Sequence, residues 1–159
     1  MPAHVNPNLS SHPDHWAALK MSLSALQRCR ALFAGDHGVA AEGVSAFPQQ
    51  VTSEMVKNFS QDGSAISVLA NAIHAPLDIV NLGTAHDSGI SDDVTNYYLG
   101  PGTANFLHEP AMTESQLDQS LFAGCEAVDC AKFADARLLV MGEMGIANST
   151  SATALACAL

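Results

Sequence analysis

The chain contains 159 residues, of which 48% are hydrophobic and only 14% are charged. This length predicts one domain with a substantial core, and the composition excludes intrinsic disorder, whose signature is high charge with low hydrophobicity. The formal net charge is −10 and no cluster of Lys and Arg interrupts it, which excludes the basic surface of a nucleic-acid-binding or anionic-membrane-binding protein.

The four cysteines, Cys29, Cys125, Cys130 and Cys157, lie in apolar stretches without C-x-x-C spacing. They predict buried free thiols in a reducing compartment rather than a disulfide framework or a zinc site. The polar stretch Met1–Ser11 lacks the basic start and apolar run of a signal peptide, and no segment is long and apolar enough to span a membrane. We therefore expect a cytoplasmic protein with no membrane and no nucleic-acid partner.

A helix that ends at about Arg28 is the first predicted element, because capping residues precede apolar side chains at helical spacing. The apolar run Ala31–Ala34, closed by Gly35, is short and predicts a buried strand. These elements divide the chain into an N-terminal extension and helix, 1–30, and a partial α/β domain, 31–159.

The next segment, Asp36–Pro48, has several glycines and no steady periodicity, which predicts a loop at the carboxyl end of the first strand. Apolar residues at helical spacing then predict two helices, over about 51–59 and about 66–73. The apolar run Leu77–Leu82 predicts the second strand.

Turn-forming residues dominate the segment Gly83–Pro110 and predict a loop, with a brief strand at Tyr97–Leu99. A capping-box pattern begins the next helix, which we expect over Thr113–Phe133. Its predicted apolar face consists of Leu117, Leu121, Cys125 and Val128. The remaining elements are a strand over Arg137–Met141 and a helix over Ser149–Leu159.

Strands that alternate with helices predict an α/β fold with a parallel sheet, in which ligands bind beyond the carboxyl ends of the strands. That rule selects three candidate segments, 36–48, 83–91 and 142–151. In the last of them Glu143 precedes amides and hydroxyls at a predicted strand-to-helix turn, where free N–H groups and the helix dipole can hold a phosphate. An alternative of equal weight from spacing alone is that Asn148 or Ser149 caps the helix and Glu143 is a solvated turn residue.

The first candidate segment offers an acid and an imidazole in Asp36 and His37, with Glu42 close behind. A metal site built from these residues or from His86 would need adjacent ligands and matches no established spacing, so we expect no metal. The sequence also lacks the G-x-S-x-G pattern of a hydrolase, and Gly100-Pro101-Gly102 is not a dinucleotide fingerprint.

Four separated runs of the sequence closely resemble the nicotinate-nucleotide:dimethylbenzimidazole phosphoribosyltransferase family. The runs are Ala34–Pro48, Val51–Thr52, Pro110–Thr113 and Gly142–Thr150, in the order in which the family has them. The resemblance implies that 31–159 is a partial α/β phosphoribosyltransferase domain, with a Rossmann-like, three-layer parallel sheet and flanking helices. It implies a protein that is usually a homodimer and needs no metal or organic cofactor.

The resemblance also implies a reaction. The nicotinate of nicotinate mononucleotide is exchanged for 5,6-dimethylbenzimidazole, which yields α-ribazole 5′-phosphate for cobalamin biosynthesis. The expected partners are therefore small-molecule substrates.

The same resemblance assigns roles to residues of this chain. Glu143 matches the family's catalytic carboxylate near the base and the ribose. Phe47 and Met55 vary within the family, so the resemblance leaves the choice of azole base open. The substrate-binding residues that the matching runs imply are Asp36, His37, Phe47, Pro48, Met55, Gly145, Asn148, Ser149 and Thr150.

Family members are much longer, and the glutamate usually assigned as their general base lies in a glycine-rich segment near the carboxyl end that this sequence does not contain. We therefore expect a truncated or split member, paired with a second copy or with a chain that supplies the missing half. One alternative is a non-catalytic relative that binds a base or a nucleotide and needs a partner chain. Another is an unrelated small α/β binding domain, which four ordered matches disfavour.

Overall fold

A computed structural model describes residues 28–75, 77–86, 89 and 91–159 of the chain. The predicted N-terminal helix lies outside these residues, as does most of the predicted extension. The helices are α1 (Gln50–Ser60), α2 (Ala65–Ala72), α3 (Glu114–Phe133) and α4 (Asn148–Ala158). The strands are β1 (Arg28–Gly35), β2 (Leu77–Gly83), β3 (Thr95–Asn96) and β4 (Leu138–Met144).

The four described strands form one parallel sheet in the order β3-β2-β1-β4. β1 is central, since Leu32 pairs with Ile79 of β2 on one side and with Gly142 of β4 on the other. Parallel neighbours need crossover connections, and the helices between the strands confirm the predicted α/β fold with a parallel sheet. Because parallel strands end at the same edge, the loops that follow β1, β2 and β4 meet there.

The core lies between the sheet and α1, which packs against β1, β2 and β4. Val56 and Phe59 lie on one face of α1 at helical spacing, and both are buried. Burial of each large apolar side chain contributes about 1.5–3 kcal/mol relative to exposure, so this face is what fixes α1 on the sheet. The core cluster consists of Leu32, Ala34, Val56, Phe59, Ile79 and Val94.

Strand β4 ends at Met144, beyond the predicted end at Met141. Its pairing with β1 continues to the end of that strand, where Ala34 lies opposite Met144. Glu143 is therefore a strand residue that lies opposite Phe33, and the strand-to-helix turn begins after it.

Two short elements differ from the sequence prediction. A 3-10 helix at Gly38–Glu42 lies within the segment 36–48, for which the sequence predicts a loop. The brief strand predicted at 97–99 lies instead at Thr95–Asn96. The N–H groups of Tyr97 and Leu99 still donate to β2, but Tyr98 between them has a left-handed φ of 42°, so this stretch is not a regular strand.

Helix α3 begins with the predicted capping box, in which Thr113 and Gln116 each accept the backbone N–H of the other. Its predicted apolar face is wrong, since Leu121 on that face is 61% exposed, whereas Ala123 and Ala131 are buried. Small side chains on the sheet-side face allow the helix to approach β1 closely. The large apolar residues Leu117, Leu121, Phe122 and Phe133 are exposed instead.

The prediction for the cysteines holds for Cys29, which is buried and donates its thiol proton to Asp78 over 3.3 Å. Burial is the main cause that raises the pKa of this thiol to about 11. Cys125, Cys130 and Cys157 are exposed, contrary to the prediction. They lie on α3 outside its buried face and on α4, a helix without buried residues.

Strand β4 forms one edge of the described sheet and pairs there with β1 alone. Met141 on this edge strand is 69% exposed and Val140 is 41% exposed, and nearby Phe133 at the end of α3 is 96% exposed. An open strand edge with apolar side chains is a surface that proteins generally cover. No helix within the described residues is both long enough and apolar enough for a membrane span.

Candidate active site

A cleft of about 300 Å³ lies at the carboxyl ends of β1, β2 and β4. Asp36, His37 and Glu143 lie on its wall, so the structure brings together three of the predicted site residues. Most of the remaining lining is apolar, which is the usual character of a pocket for a flat organic ring. The large apolar lining residues are Phe33, Leu82, Leu99, Met112 and Met144.

Glu143 supplies a carboxyl group near the end of β4, where Gly142 and the central strand hold its backbone in register. Desolvation by burial raises the pKa of Glu143 above its ordinary value. A carboxylate with a raised pKa accepts a proton more readily than an ordinary surface glutamate. This residue can therefore take a proton from a weakly acidic N–H group that enters the cleft.

His37 supplies an imidazole two residues after Gly35, where β1 ends. Its ring lies against the beginning of the β4–α4 turn. A Cβ built on Gly145 would lie 3.2 Å from Nε2 of His37. Burial lowers the pKa of His37, and the charge of Asp36 opposes this shift more weakly. The imidazole is thus favoured in its neutral form, with one nitrogen as donor and the other as acceptor.

We expect the lowered pKa of His37 to make the protein lose stability in mild acid. The unfolded chain binds a proton at the ordinary pKa of 6.5, whereas the folded chain binds it only at a lower pH. The contribution to stability is therefore fully present above 6.5 and is lost as the pH falls from there through the lower folded pKa. His37→Asn should therefore show a flatter fall in unfolding free energy between neutral pH and mild acid than the wild type, measured by urea unfolding. His74→Asn, at an exposed position, is the matched control. Identical pH profiles for all three proteins would contradict the half-buried, neutral imidazole.

Asp36 is buried, with 1% of its surface exposed, and both of its carboxylate oxygens accept hydrogen bonds from the protein. Oδ1 accepts from the hydroxyl of Thr52 over 2.6 Å, and Oδ2 accepts from the N–H of Ala85 over 2.9 Å. Its backbone also binds two loops, because its N–H donates to Gly83 and its carbonyl accepts from Thr103. Asp36 consequently joins several segments that form the wall of the cleft.

The turn between β4 and α4 is tight, and its geometry depends on Gly145. A Cβ at this position would lie 2.2 Å from the carbonyl oxygen of Gly35, so the ends of β1 and β4 approach too closely for a side chain. Ala147 then adopts a left-handed φ of 70°, and the N–H of Asn148 donates to the carbonyl of Gly145. The cap position of α4 is Ala147, so neither Asn148 nor Ser149 is the N-cap residue, and no side chain forms a cap hydrogen bond there.

The first turn of α4 contains the remaining residues of the predicted phosphate side. Ser149 donates its hydroxyl to the side-chain oxygen of Asn148, and Thr150 follows in the same turn. These residues follow the end of β4 along the chain, and they are not among the residues that line the cleft. Backbone N–H groups and hydroxyls in this arrangement are suited to hold an anion.

The structure does not bring Phe47, Pro48 and Met55 to the cleft wall. Phe47 is 65% exposed before α1, Pro48 is also exposed, and Met55 packs against the core cluster. No group of three His, Cys, Asp or Glu side chains among the described residues has the proximity that a metal ion needs.

Sequence reasoning missed the contribution of α3 and the segment before it. Met112, Gln116 and Ser120 line the cleft, and the amide of Gln116 donates to the carbonyl of Leu99 over 2.9 Å. The capping box could have given a partial signal, because it fixes where α3 begins and therefore which residues share a face one turn apart. It does not indicate that this face meets the sheet edge.

Comparisons with known proteins identify relatives for most of the chain. A family model described as phosphoribosyltransferase matches residues 15–159. A nicotinate-nucleotide–dimethylbenzimidazole phosphoribosyltransferase of Xanthomonas oryzae pv. oryzae is 54% identical over 129 residues, which are 81% of this chain and 37% of that protein. The protein of the same description from Pseudomonas fluorescens SBW25 is also 54% identical, with the same coverage of 81% and 37%.

A solved structure from Thermus thermophilus, with the same description, is similar in fold. It superposes with a TM-score of 0.78 at 36% identity, covering 97% of this chain and 49% of that chain. The chain thus spans about 37% of the length of the curated relatives and about half of the solved one.

Proposed function

Since this chain belongs to the phosphoribosyltransferase family whose model matches residues 15–159, we propose that it forms the amino-terminal part of a nicotinate-nucleotide:dimethylbenzimidazole phosphoribosyltransferase. Such a pentosyltransferase exchanges the nicotinate of nicotinate mononucleotide for 5,6-dimethylbenzimidazole and yields α-ribazole 5′-phosphate. The observation that carries the proposal is the apolar cleft in which His37 and Glu143 lie beside the turn that begins α4.

The reaction forms a bond from a ring nitrogen of the incoming base to C1′ of the ribose and breaks the bond from C1′ to nicotinate. The incoming base loses its N–H proton in the exchange, and Glu143 is the group in the cleft that can orient or accept it. The raised pKa of Glu143 supports this role, because it brings the carboxylate closer to the proton affinity of the base. His37, in its neutral form, can donate a hydrogen bond to the ribose or to the leaving group.

We assign the phosphate to the turn of Gly145, Asn148, Ser149 and Thr150 at the beginning of α4. An acidic protein with a net charge of −10 needs a local anion site, and a helix N-terminus supplies one without Lys or Arg. We assign the base to the apolar lining of the cleft rather than to Phe47, Pro48 and Met55, because those three residues lie outside that lining.

A further part of the family fold is proposed to cover the open edge of β4. The exposed Met141 and Val140 on this edge support that proposal, as does the greater length of the relatives. Either a polypeptide that carries the remaining family sequence supplies this part, or a second copy of this chain covers the edge in a homodimer. The complete assembly is proposed to act in the cytoplasm on small-molecule substrates.

The proposal is tested by ligand titration and by nicotinate release. Isothermal titration with nicotinate mononucleotide and with dimethylbenzimidazole is made on the chain alone and with the carboxyl-terminal remainder of the Xanthomonas oryzae relative. We expect binding by the chain alone and release of nicotinate, followed by chromatography, in the mixture. Binding of neither ligand in either sample would contradict the proposal.

The second candidate function is that of a non-catalytic relative which binds a base or a nucleotide together with a partner chain. The open edge of β4 favours a partner in this case as well. Binding without nicotinate release in the mixed sample would favour this function over the transferase.

A further inference from the structure

A buried chain of hydrogen bonds connects the loop after β1 with the turn after β4. The N–H of Ile146 donates to Oγ1 of Thr52 over 3.1 Å, and the same hydroxyl donates to Oδ1 of Asp36 over 2.6 Å. The three residues belong to three different segments of the chain, and 94 positions separate Thr52 from Ile146. We name this chain the Asp36–Thr52–Ile146 relay.

The direction of each bond in the relay is fixed by its chemistry. The N–H of Ile146 can only donate, so it occupies a lone pair of the Thr52 hydroxyl, and the single hydroxyl proton is directed to Oδ1 of Asp36. The relay therefore has one consistent arrangement of donors and acceptors, and it holds the turn in one orientation.

The relay is closed to water, because Thr52 is fully buried and the exposed fractions of Asp36 and Ile146 are 1% and 8%. Its carboxylate end is fixed by further bonds, including the one that Oδ2 accepts from the N–H of Ala85. A buried polar group that loses its partner is not compensated by solvent. Loss of one link would therefore leave a buried donor or acceptor unsatisfied.

The relay reaches the turn that connects β4 with α4. Ile146 lies three positions after Glu143 in the sequence and immediately precedes Ala147, the left-handed cap residue of α4. We infer that Asp36 and Thr52 are positioning residues which, through Ile146, set the Glu143 carboxyl group and the α4 N-terminus relative to each other. The role of the Glu143 carboxyl group and of the α4 N-terminus rests on the proposed function, whereas the relay itself rests on the geometry alone.

The inference is tested with Thr52→Val, which keeps the shape of the side chain and removes the hydroxyl, and with Thr52→Ser, which restores it. Ser67→Ala is the matched control, since it removes another buried hydroxyl away from the cleft. Amide hydrogen exchange at Ile146, normalised to the core amide of Val56, reports on the relay. Isothermal titration with nicotinate mononucleotide reports on the site.

We expect Thr52→Val to accelerate exchange at Ile146 and to weaken nicotinate mononucleotide binding, each by about tenfold, the effect of one buried hydrogen bond. Thr52→Ser should restore both values, and Ser67→Ala should change neither. Unchanged relative exchange at Ile146 in Thr52→Val, or no recovery in Thr52→Ser, would overturn the inference. If the wild type binds no nicotinate mononucleotide, the exchange rates alone still decide the relay, and the proposed function is judged separately by the titrations of both ligands with and without the carboxyl-terminal remainder.

A second variant covers the case in which Thr52→Val does not fold. Asp36→Asn keeps an oxygen for the Thr52 hydroxyl but places an amide where Oδ2 accepts from the N–H of Ala85. Faster exchange at Ala85 in a folded protein, relative to Val56, would support the carboxylate as the fixed end of the relay. Unchanged exchange at Ala85 would overturn that assignment.

Discussion

Gly145→Ala is expected to lower the free energy of unfolding by about 3 kcal/mol, at the upper end of the usual cost of an overpacked site. The added Cβ would lie 2.2 Å from the carbonyl oxygen of Gly35 and 3.2 Å from the ring of His37. The carbonyl belongs to the central strand and cannot rotate away as a side chain could. The ends of β1 and β4 would have to separate, and the distance between His37 and Glu143 would change with them.

Urea and thermal unfolding followed by circular dichroism measure this effect, and the expected fall in Tm is roughly 6–12 °C. Gly124→Ala is the matched control, because a Cβ there meets none of the described residues within 4 Å outside the backbone of its own helix. Helix propensity predicts that Gly124→Ala stabilises the protein by about 1 kcal/mol. Equal stability of Gly145→Ala and the wild type would contradict the close approach of the two strands.

Glu143→Gln is expected to reduce nicotinate release in the reconstituted assembly by about a hundredfold, at the lower end of the effect of a general base. The amide keeps the size of the side chain but cannot accept the proton of the incoming base. The lower end of that range applies because the family resemblance places a second glutamate, the usual general base, in the carboxyl-terminal part. Initial rates at saturating concentrations of both substrates measure the effect, and an unchanged rate would exclude Glu143 from proton transfer.

The same variant should be more stable than the wild type at neutral pH. Burial raises the pKa of Glu143 in the folded protein, so its contribution to stability is fully present below the unfolded value of 4.5 and is lost as the pH rises through the folded value. The glutamine side chain does not ionise, and the stability difference in favour of Glu143→Gln should therefore shrink as the pH falls towards 4.5. Asp118→Asn, at an exposed position on α3 outside the cleft lining, is the control that should show no such gap.

Opposite changes in activity and in stability would distinguish a functional carboxyl group from a structural one. A residue that only supports the fold loses both properties together when it is replaced. Glu143→Gln should instead lose turnover while it gains stability at neutral pH, whereas Gly145→Ala should lose both. The two variants therefore distinguish the proton-transfer role of Glu143 from the structural role of Gly145.

The alternation of strands and helices was predictable because it depends on local chemistry. The capping box of Thr113 and Gln116 joins residues one helical turn apart, and the structure confirms the helix that it begins. The burial of Val56 and Phe59 was predictable for the same reason, since helical spacing places them on one face. The candidate roles of Glu143 and His37 came from the order of the strands and from the family resemblance.

The predicted apolar face of α3 failed because spacing alone cannot tell which side of a helix meets the sheet. Leu121 belongs to a regular apolar pattern, yet the close approach of α3 to β1 selects the smaller Ala123 and Ala131 for burial. The end of β4 was placed too early for a related reason. Pairing with β1 continues the strand through Gly142 and Glu143, where the local sequence resembles a turn.

The fold class, the family and the residues that carry charge at the ends of the strands follow from the amino-acid sequence alone, because local periodicity and ordered motifs encode them. The bonds from Thr52 to Asp36 and from Ile146, 94 positions away, to Thr52 become visible only in the folded chain. The same holds for the place of Gln116 in the cleft wall. Contacts between residues so far apart in the sequence depend on how strands and helices pack together, and no local sequence pattern encodes them.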